Sequence, residues 1–168
     1  MEANAASSQR QPQQAAQAAG QLIELLEVLW ERGKDMVPST PVSASQLRVL
    51  YSLDRDEGIN LRTLGEMLGS AAPSVSRLCD RLEALGFVRR LPSPVSRREL
   101  ELHLTSSGKA YLRDLRTRRQ EALQAVISAM TPSERTALLK GLTGFQGALE
   151  KSGTAPLWRP TAKDARSA

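Results

Sequence analysis

Large apolar side chains recur every three or four residues through most of the chain, the spacing of a helix face, and this predicts a mainly α-helical fold. Residues 1–16 are an exception. They are Ala, Gln and Ser with almost no large apolar group, too little buried surface to offset the entropy of ordering, so a disordered N-terminal tail is expected. Over 17–34, Leu22, Leu25, Leu26 and Leu29 form a helical stripe that Ile23, Val28 and Trp30 broaden until Gly33. A helix apolar on more than one face is expected to pack against its own domain and against a second chain.

After the loop Pro38–Pro41, Ser43 and Gln46 have capping-box spacing and start a helix carrying Leu47, Leu50, Tyr51 and Leu53. Asn60 caps a short helix with Leu61, Leu64, Met67 and Leu68. After the interruption at Gly69–Pro73, the next helix keeps Val75, Leu78, Leu82 and Leu85 inward and stops at Gly86. Two short helices joined this tightly, the second flanked by basic residues, predict a helix-turn-helix. Phe87–Leu91 and Glu99–Leu104 then read as strands, the second placing Leu100, Leu102 and Leu104 inward and Glu99, Glu101 and His103 outward. A hairpin directly after a helix-turn-helix is a wing.

Thr105 is placed to cap a long helix with Tyr111, Leu112, Leu115, Leu123, Val126, Ile127 and Met130 as its apolar set. Thr131-Pro132-Ser133-Glu134 restarts a last helix carrying Leu138, Leu139, Leu142, Phe145 and Leu149. The expected architecture is therefore six helices with a small β-hairpin wing. A reading lobe spans 43–105, and helices at 17–34 and 106–150, too apolar for a monomer, build an intertwined homodimer. Residues 151–168, with Trp158 between prolines, form a tail or an arm docked on a partner chain.

Charge and composition narrow the function. A net charge of +5 over 168 residues favours polyanionic partners without requiring them, and the 4% aromatic content argues against stacking platforms for single strands. The single cysteine, Cys79, excludes an internal disulfide; with one histidine, His103, no familiar zinc-ligand spacing exists. No glycine-rich phosphate loop, acid and base pair or nucleophile constellation is evident, so neither an enzyme nor a cofactor is expected. No apolar run is long enough to cross a bilayer and no signal-peptide pattern opens the chain, so a cytoplasmic protein is expected.

Leu61–Leu112 resembles the MarR family of winged-helix transcription regulators. The likeness rests on Leu78-Cys79-Asp80-Arg81-Leu82-Glu83-Ala84-Leu85-Gly86-Phe87-Val88-Arg89-Arg90 and on Leu104-Thr105-Ser106-Ser107-Gly108, with the helix order consistent over about 17–150. The resemblance implies a homodimer that sets two recognition helices in successive major grooves of a pseudo-palindromic operator. It also implies repression, often relieved by a small aromatic or hydrophobic ligand. One departure stands out. Where the family's wing tip carries acids beside its arginines, this chain has Ser93-Pro94-Val95-Ser96 before Arg97-Arg98, so a more mobile wing is expected.

On the recognition helix, Pro73 is expected against a thymine methyl, Ser74 and Ser76 on base edges or as caps, and Arg77 in direct readout. Arg81 is expected on phosphate or near Asp80. The resemblance aligns Arg98 with the wing arginine that enters the minor groove, with Arg97 beside it on phosphate; a solvated hairpin turn is the alternative. Arg89 and Arg90 point to opposite strand faces, so one is expected to follow DNA and the other to pair within the protein. Arg48 and Arg62 are expected as surface charge within reach of flanking phosphates, and Arg113, Arg116, Arg118 and Arg119 as a solvated face or dimer salt bridges. Cys79 is expected to be a small buried side chain and His103 to be exposed. An effector crevice lined by Trp30, Met36, Arg48 and Tyr51 follows from the family, although core packing also explains Trp30 and Tyr51. The competing function is a winged-helix interaction scaffold that does not read DNA sequence.

Overall fold

The computed structural model describes residues 2–35, 42–94 and 99–152, and within the first stretch the side chains of 10–28. It divides into two units, Met1–Pro41 and Val42–Ala168. The first is a single helix, α1 (Glu2–Asp35). The tail expected to be disordered up to residue 16 is thus helical from Glu2. Scarcity of apolar groups limits what the segment can bury, whereas Ala and Gln carry high helix propensity, so a polar helix forms with residues 10–19 exposed. Further along α1, Leu22, Ile23, Leu25 and Val28 are exposed.

In the second unit, α2 (Ala44–Arg55) opens with the expected capping box: the Ser43 amide donates to Gln46 Oε1 at 2.8 Å, and the Gln46 amide to Ser43 Oγ at 3.3 Å. A two-residue strand, β1 (Ile59–Asn60), leads into α3 (Leu61–Leu68), whose N-cap Asn60 accepts from the Thr63 amide at 2.9 Å. Gly69, at φ 59°, ends α3 in the left-handed conformation. Then α4 (Ala72–Ala84) buries Val75, Cys79 and Leu82 at i, i+4 and i+7, and the chain turns at Gly86, φ 75°.

Strands β2 (Val88–Pro92) and β3 (Leu100–Leu104) pair antiparallel, Val88 opposite Leu104 and Pro92 opposite Leu100. The wing is more than a hairpin. β1 adds to the other side of β3 to give a sheet of order β1-β3-β2. Two residues carry no periodicity, which is why β1 leaves no sequence signal. Leu102 and Leu104 are buried as expected, but Leu100 is 52% exposed. Alternation fixes which face a residue takes and not whether anything covers it; Leu100 sits at the rung beside the wing loop.

α5 (Ser106–Ser128) begins at its N-cap Thr105, and α6 (Pro132–Lys151) at the capping box of Thr131 and Glu134. The core joins Val49, Leu50 and Leu53 of α2, Leu64 of α3, the inward face of α4, Val88, Leu102 and Leu104 of the sheet, and Leu112 of α5. Each such side chain stabilises the fold by about 1.5–3 kcal/mol relative to exposure. Leu139, Leu142 and Phe145 of α6 are exposed, as is Val126 of α5.

Candidate nucleic-acid interface

Helices α3 and α4 with their tight Gly69–Ala71 turn form the helix-turn-helix. The core face of α4 is Val75, Cys79 and Leu82, so the opposite stripe is left to solvent. That stripe holds Pro73, Ser74, Arg77 and Arg81, all exposed; Ser76 is half-buried at its margin. Ala71 occupies the N-cap and no side chain caps the helix, so Ser74 and Ser76 do not serve in that role.

The charges on α4 are sorted. Asp80 and Glu83 are both engaged by Arg90 of β2, with Nη2 at 2.6 Å from Asp80 Oδ1 and Nη1 hydrogen-bonded to Glu83 Oε2. Arg77 and Arg81 have no ion-pair or hydrogen-bond partner among the described residues, so Arg81 does not pair with Asp80. Arg89, which follows the other strand face, is exposed. One arginine of the doublet therefore engages both of the recognition helix's own acids and offsets part of their charge, and the other stays on the surface, as the strand geometry requires.

Burial of Cys79 beneath this network pushes its thiol up to about 11, with Arg90 opposing the rise and Asp80 and Glu83 adding to it. A buried thiol with so little thiolate is inert at neutral pH.

Arg97 and Arg98 lie outside the described residues. What is seen is the root of their loop: the Ser93 amide donates to the Glu99 carbonyl at 2.9 Å, Ser93 Oγ to Glu101 Oε1 at 2.8 Å, and Asn60 Nδ2 to Glu99 Oε2 at 3.4 Å. His103, expected to be exposed, keeps only 19% of its side chain accessible and faces Glu57 and Glu101. The strand pattern places it on the outer face, but the turn at Glu57 and Gly58 lies against it there.

Of the expected effector residues, Met36 and the side chain of Trp30 lie outside the described residues. Arg48 Nη2 donates to the Leu68 carbonyl at 3.4 Å, at the end of α3. Tyr51 accepts from Arg119 Nη1 at 2.9 Å, and the Arg116 guanidinium lies 5.7 Å from its ring centroid. Arg116 also pairs with Asp54 at 2.7 Å. Two arginines expected on a solvated or dimer face therefore bind α5 to α2, while Arg113 and Arg118 remain exposed. Arg62 pairs with Glu66 along α3 at 3.1 Å. The contact of Arg116 with Asp54, 62 residues apart, has no local sequence signal.

A family model described as MarR family matches residues 42–100. The HTH-type transcriptional regulator YfiV of Bacillus subtilis is 30% identical over 111 residues, 66% of this chain and 69% of that protein. The crystal structure of RV1404 from Mycobacterium tuberculosis superposes with a TM-score of 0.70 at 32% identity, covering 79% of this chain and 90% of that one. Streptococcus pneumoniae FabT, solved in complex with DNA, shares the fold with a TM-score of 0.64 at 20% identity over 83% of this chain and 97% of its own. No described helix is long and apolar enough to cross a membrane. The chain belongs to the MarR family of winged-helix transcription regulators.

Proposed function

We propose that this regulator is a cytoplasmic repressor that binds a pseudo-palindromic operator as a homodimer, with α4 in the major groove and the wing arginines Arg97 and Arg98 at the minor groove and its phosphates. The observation that carries the reading is the sorting of charge on α4. Arg77 and Arg81 stand unpaired among the described residues on the exposed stripe, while the acids that would repel phosphate are held from behind by Arg90, which offsets part of their charge. Arg77, nearer the N-terminus, suits base readout beside Pro73, Ser74 and Ser76; Arg81, one turn further on, suits phosphate.

The lobe of residues 43–105 would read DNA, and the exposed apolar residues of α1 and α6 would meet a second copy. Transfer of that surface from water is the driving force for dimerisation. A small aromatic or hydrophobic effector that releases the operator belongs to the same reading, with Trp30, Met36, Arg48 and Tyr51 as the positions to substitute. Selection of bound sites from random duplexes tests the whole. A two-fold symmetric motif with half-sites about one helical turn apart is expected. Failure to enrich any motif would favour an interaction scaffold instead.

A further inference from the structure

Helix α5 is seated on the reading lobe at two places. The first is the stretch 108–112: Gly108 lies against the Phe87 backbone, Lys109 pairs with Glu57, Tyr111 stacks on Phe87 with ring centroids 4.9 Å apart, and Leu112 enters the core. Gly108 and Leu112 are the buried residues of the helix, so its burial in the lobe ends there. The second place lies one to two turns further on. Arg116 Nη2 meets Asp54 Oδ2 at 2.7 Å with its guanidinium 5.7 Å from the Tyr51 ring centroid, and Arg119 Nη1 donates to the Tyr51 hydroxyl at 2.9 Å. Residues 51 and 54 of α2 thus face residues 116 and 119 of α5, each pair three apart on one helix face. All four side chains are half-buried.

We propose that Arg116 and Arg119, clasped to Asp54 and Tyr51, are positioning residues that fix the direction of α5 relative to the reading lobe and so set the half-site spacing that the dimer accepts. The inference rests on the dimeric DNA-binding reading above for the spacing, and on the described contacts for the geometry. In that reading α5 leads into α6, whose exposed apolar residues meet the second copy, so the angle between α5 and the lobe decides how far apart the two α4 helices stand.

Apolar contacts confined to about one turn hold position without holding direction, and they act as a pivot. Hydrogen bonds are directional, and a second attachment along a rod fixes where it points. A half-buried ion pair adds little net stability, because desolvation offsets much of the attraction; orientation is what this one supplies. The lever is long. Play of about 1 Å at the clasp, about 10 Å beyond the pivot, becomes about 3 Å at Ser128. That is close to the rise of about 3.4 Å per base pair.

The test uses the full chain and the double variant Asp54→Asn with Arg119→Met, which removes one acid and one base and leaves the net charge as it was. Without DNA, spin labels at Glu66→Cys of α3 and Gln124→Cys of α5, both exposed positions, are read in a Cys79→Ala background, with labelled chain diluted in unlabelled chain so that only intrachain distances count. A narrow distance distribution is expected, broadened or shifted in the double variant. An unchanged distribution overturns the clasp, whatever the chain does with DNA. With a duplex recovered by selection, and versions whose spacer is one base pair longer or shorter, wild type is expected to prefer the selected spacing by about tenfold or more, and the double variant by about threefold or less. Equal discrimination in both proteins overturns the positioning role, as does an affinity loss uniform across the three spacings, which a merely structural contact would give. Should the double variant not fold, Asp54→Asn alone carries both readouts, with the same outcomes deciding. Absence of wild-type binding to any duplex would contradict the DNA-binding reading and the spacing with it, while the label distances still judge the clasp.

Discussion

Gly108 and Phe87 meet backbone to backbone: a Cβ at position 108 would stand 2.2 Å from the Phe87 carbonyl oxygen. The approach is part of a compact joint. The Thr105 amide donates to the same Phe87 carbonyl at 3.0 Å, and Thr105 Oγ1 donates to the Gly86 carbonyl at 2.6 Å while accepting the Gly108 amide at 3.0 Å. The Leu-Thr-x-x-Gly stretch at 104–108 thus has a physical reason: the threonine caps α5 and ties it to the end of α4, and only glycine lets the two backbones touch.

Gly108→Ala follows directly. Glycine to alanine inside a helix ordinarily stabilises by about 0.5–1 kcal/mol. Here the clash is with backbone, which has no rotamer to escape into, so the variant is expected to lose about 3 kcal/mol or more in chemical denaturation. A stability equal to or above wild type would show that the joint is looser than described.

Arg90 is expected to matter twice. Arg90→Ala removes pairs whose carboxylates are partly exposed, so the stability cost is modest, about 1 kcal/mol. The effect on DNA is larger, because Asp80 and Glu83 are then uncompensated on the recognition helix; affinity for a selected duplex is expected to fall about tenfold. Adding Asp80→Asn and Glu83→Gln to Arg90→Ala removes the uncompensated charge and is expected to recover most of the loss in a fluorescence anisotropy titration. If the triple variant binds no better than Arg90→Ala, charge compensation is not what Arg90 supplies.

Cys79 is fully buried with its thiol pushed up to about 11. Native labelling with a thiol reagent at neutral pH is therefore expected to be slower than in denaturant by about two orders of magnitude or more. Labelling at the denatured rate, coupled to release of DNA, would instead mark Cys79 as a redox sensor.

The parts legible in the sequence were those written locally. Ser43 with Gln46, Asn60, Thr105, and Thr131 with Glu134 each place a cap within three residues of its target, and Gly86 supplies the left-handed stop, so the helix order and the winged helix-turn-helix could be drawn from the pattern alone. The side of α4 that faces solvent followed from the spacing of Val75, Cys79 and Leu82 in the same way. Long-range partners were not legible. Lys109 meets Glu57 across 52 residues, and which arginines of α5 turn inward to Asp54 and Tyr51 depends on packing that no window of sequence contains. Alternation puts His103 on a strand face and cannot show that the turn at Glu57 and Gly58 will lie against it. The helix before residue 17 is not legible because scarcity of apolar groups limits what a segment can bury without fixing its backbone conformation.

Contact between the exposed stripe of α4 and duplex DNA makes binding depend on salt, because arginines that meet phosphates release counterions. Wild-type affinity for a selected duplex is predicted to fall linearly in log–log form with a slope of about −0.9 per phosphate contact. Arg81→Ala is predicted to shallow that slope by about one contact and weaken all sequences alike, whereas Arg77→Ala costs about 1–3 kcal/mol mainly at one base pair of each half-site. A slope near zero, or affinity and slope unchanged in both variants, would contradict the assignment of α4 as the DNA-reading helix.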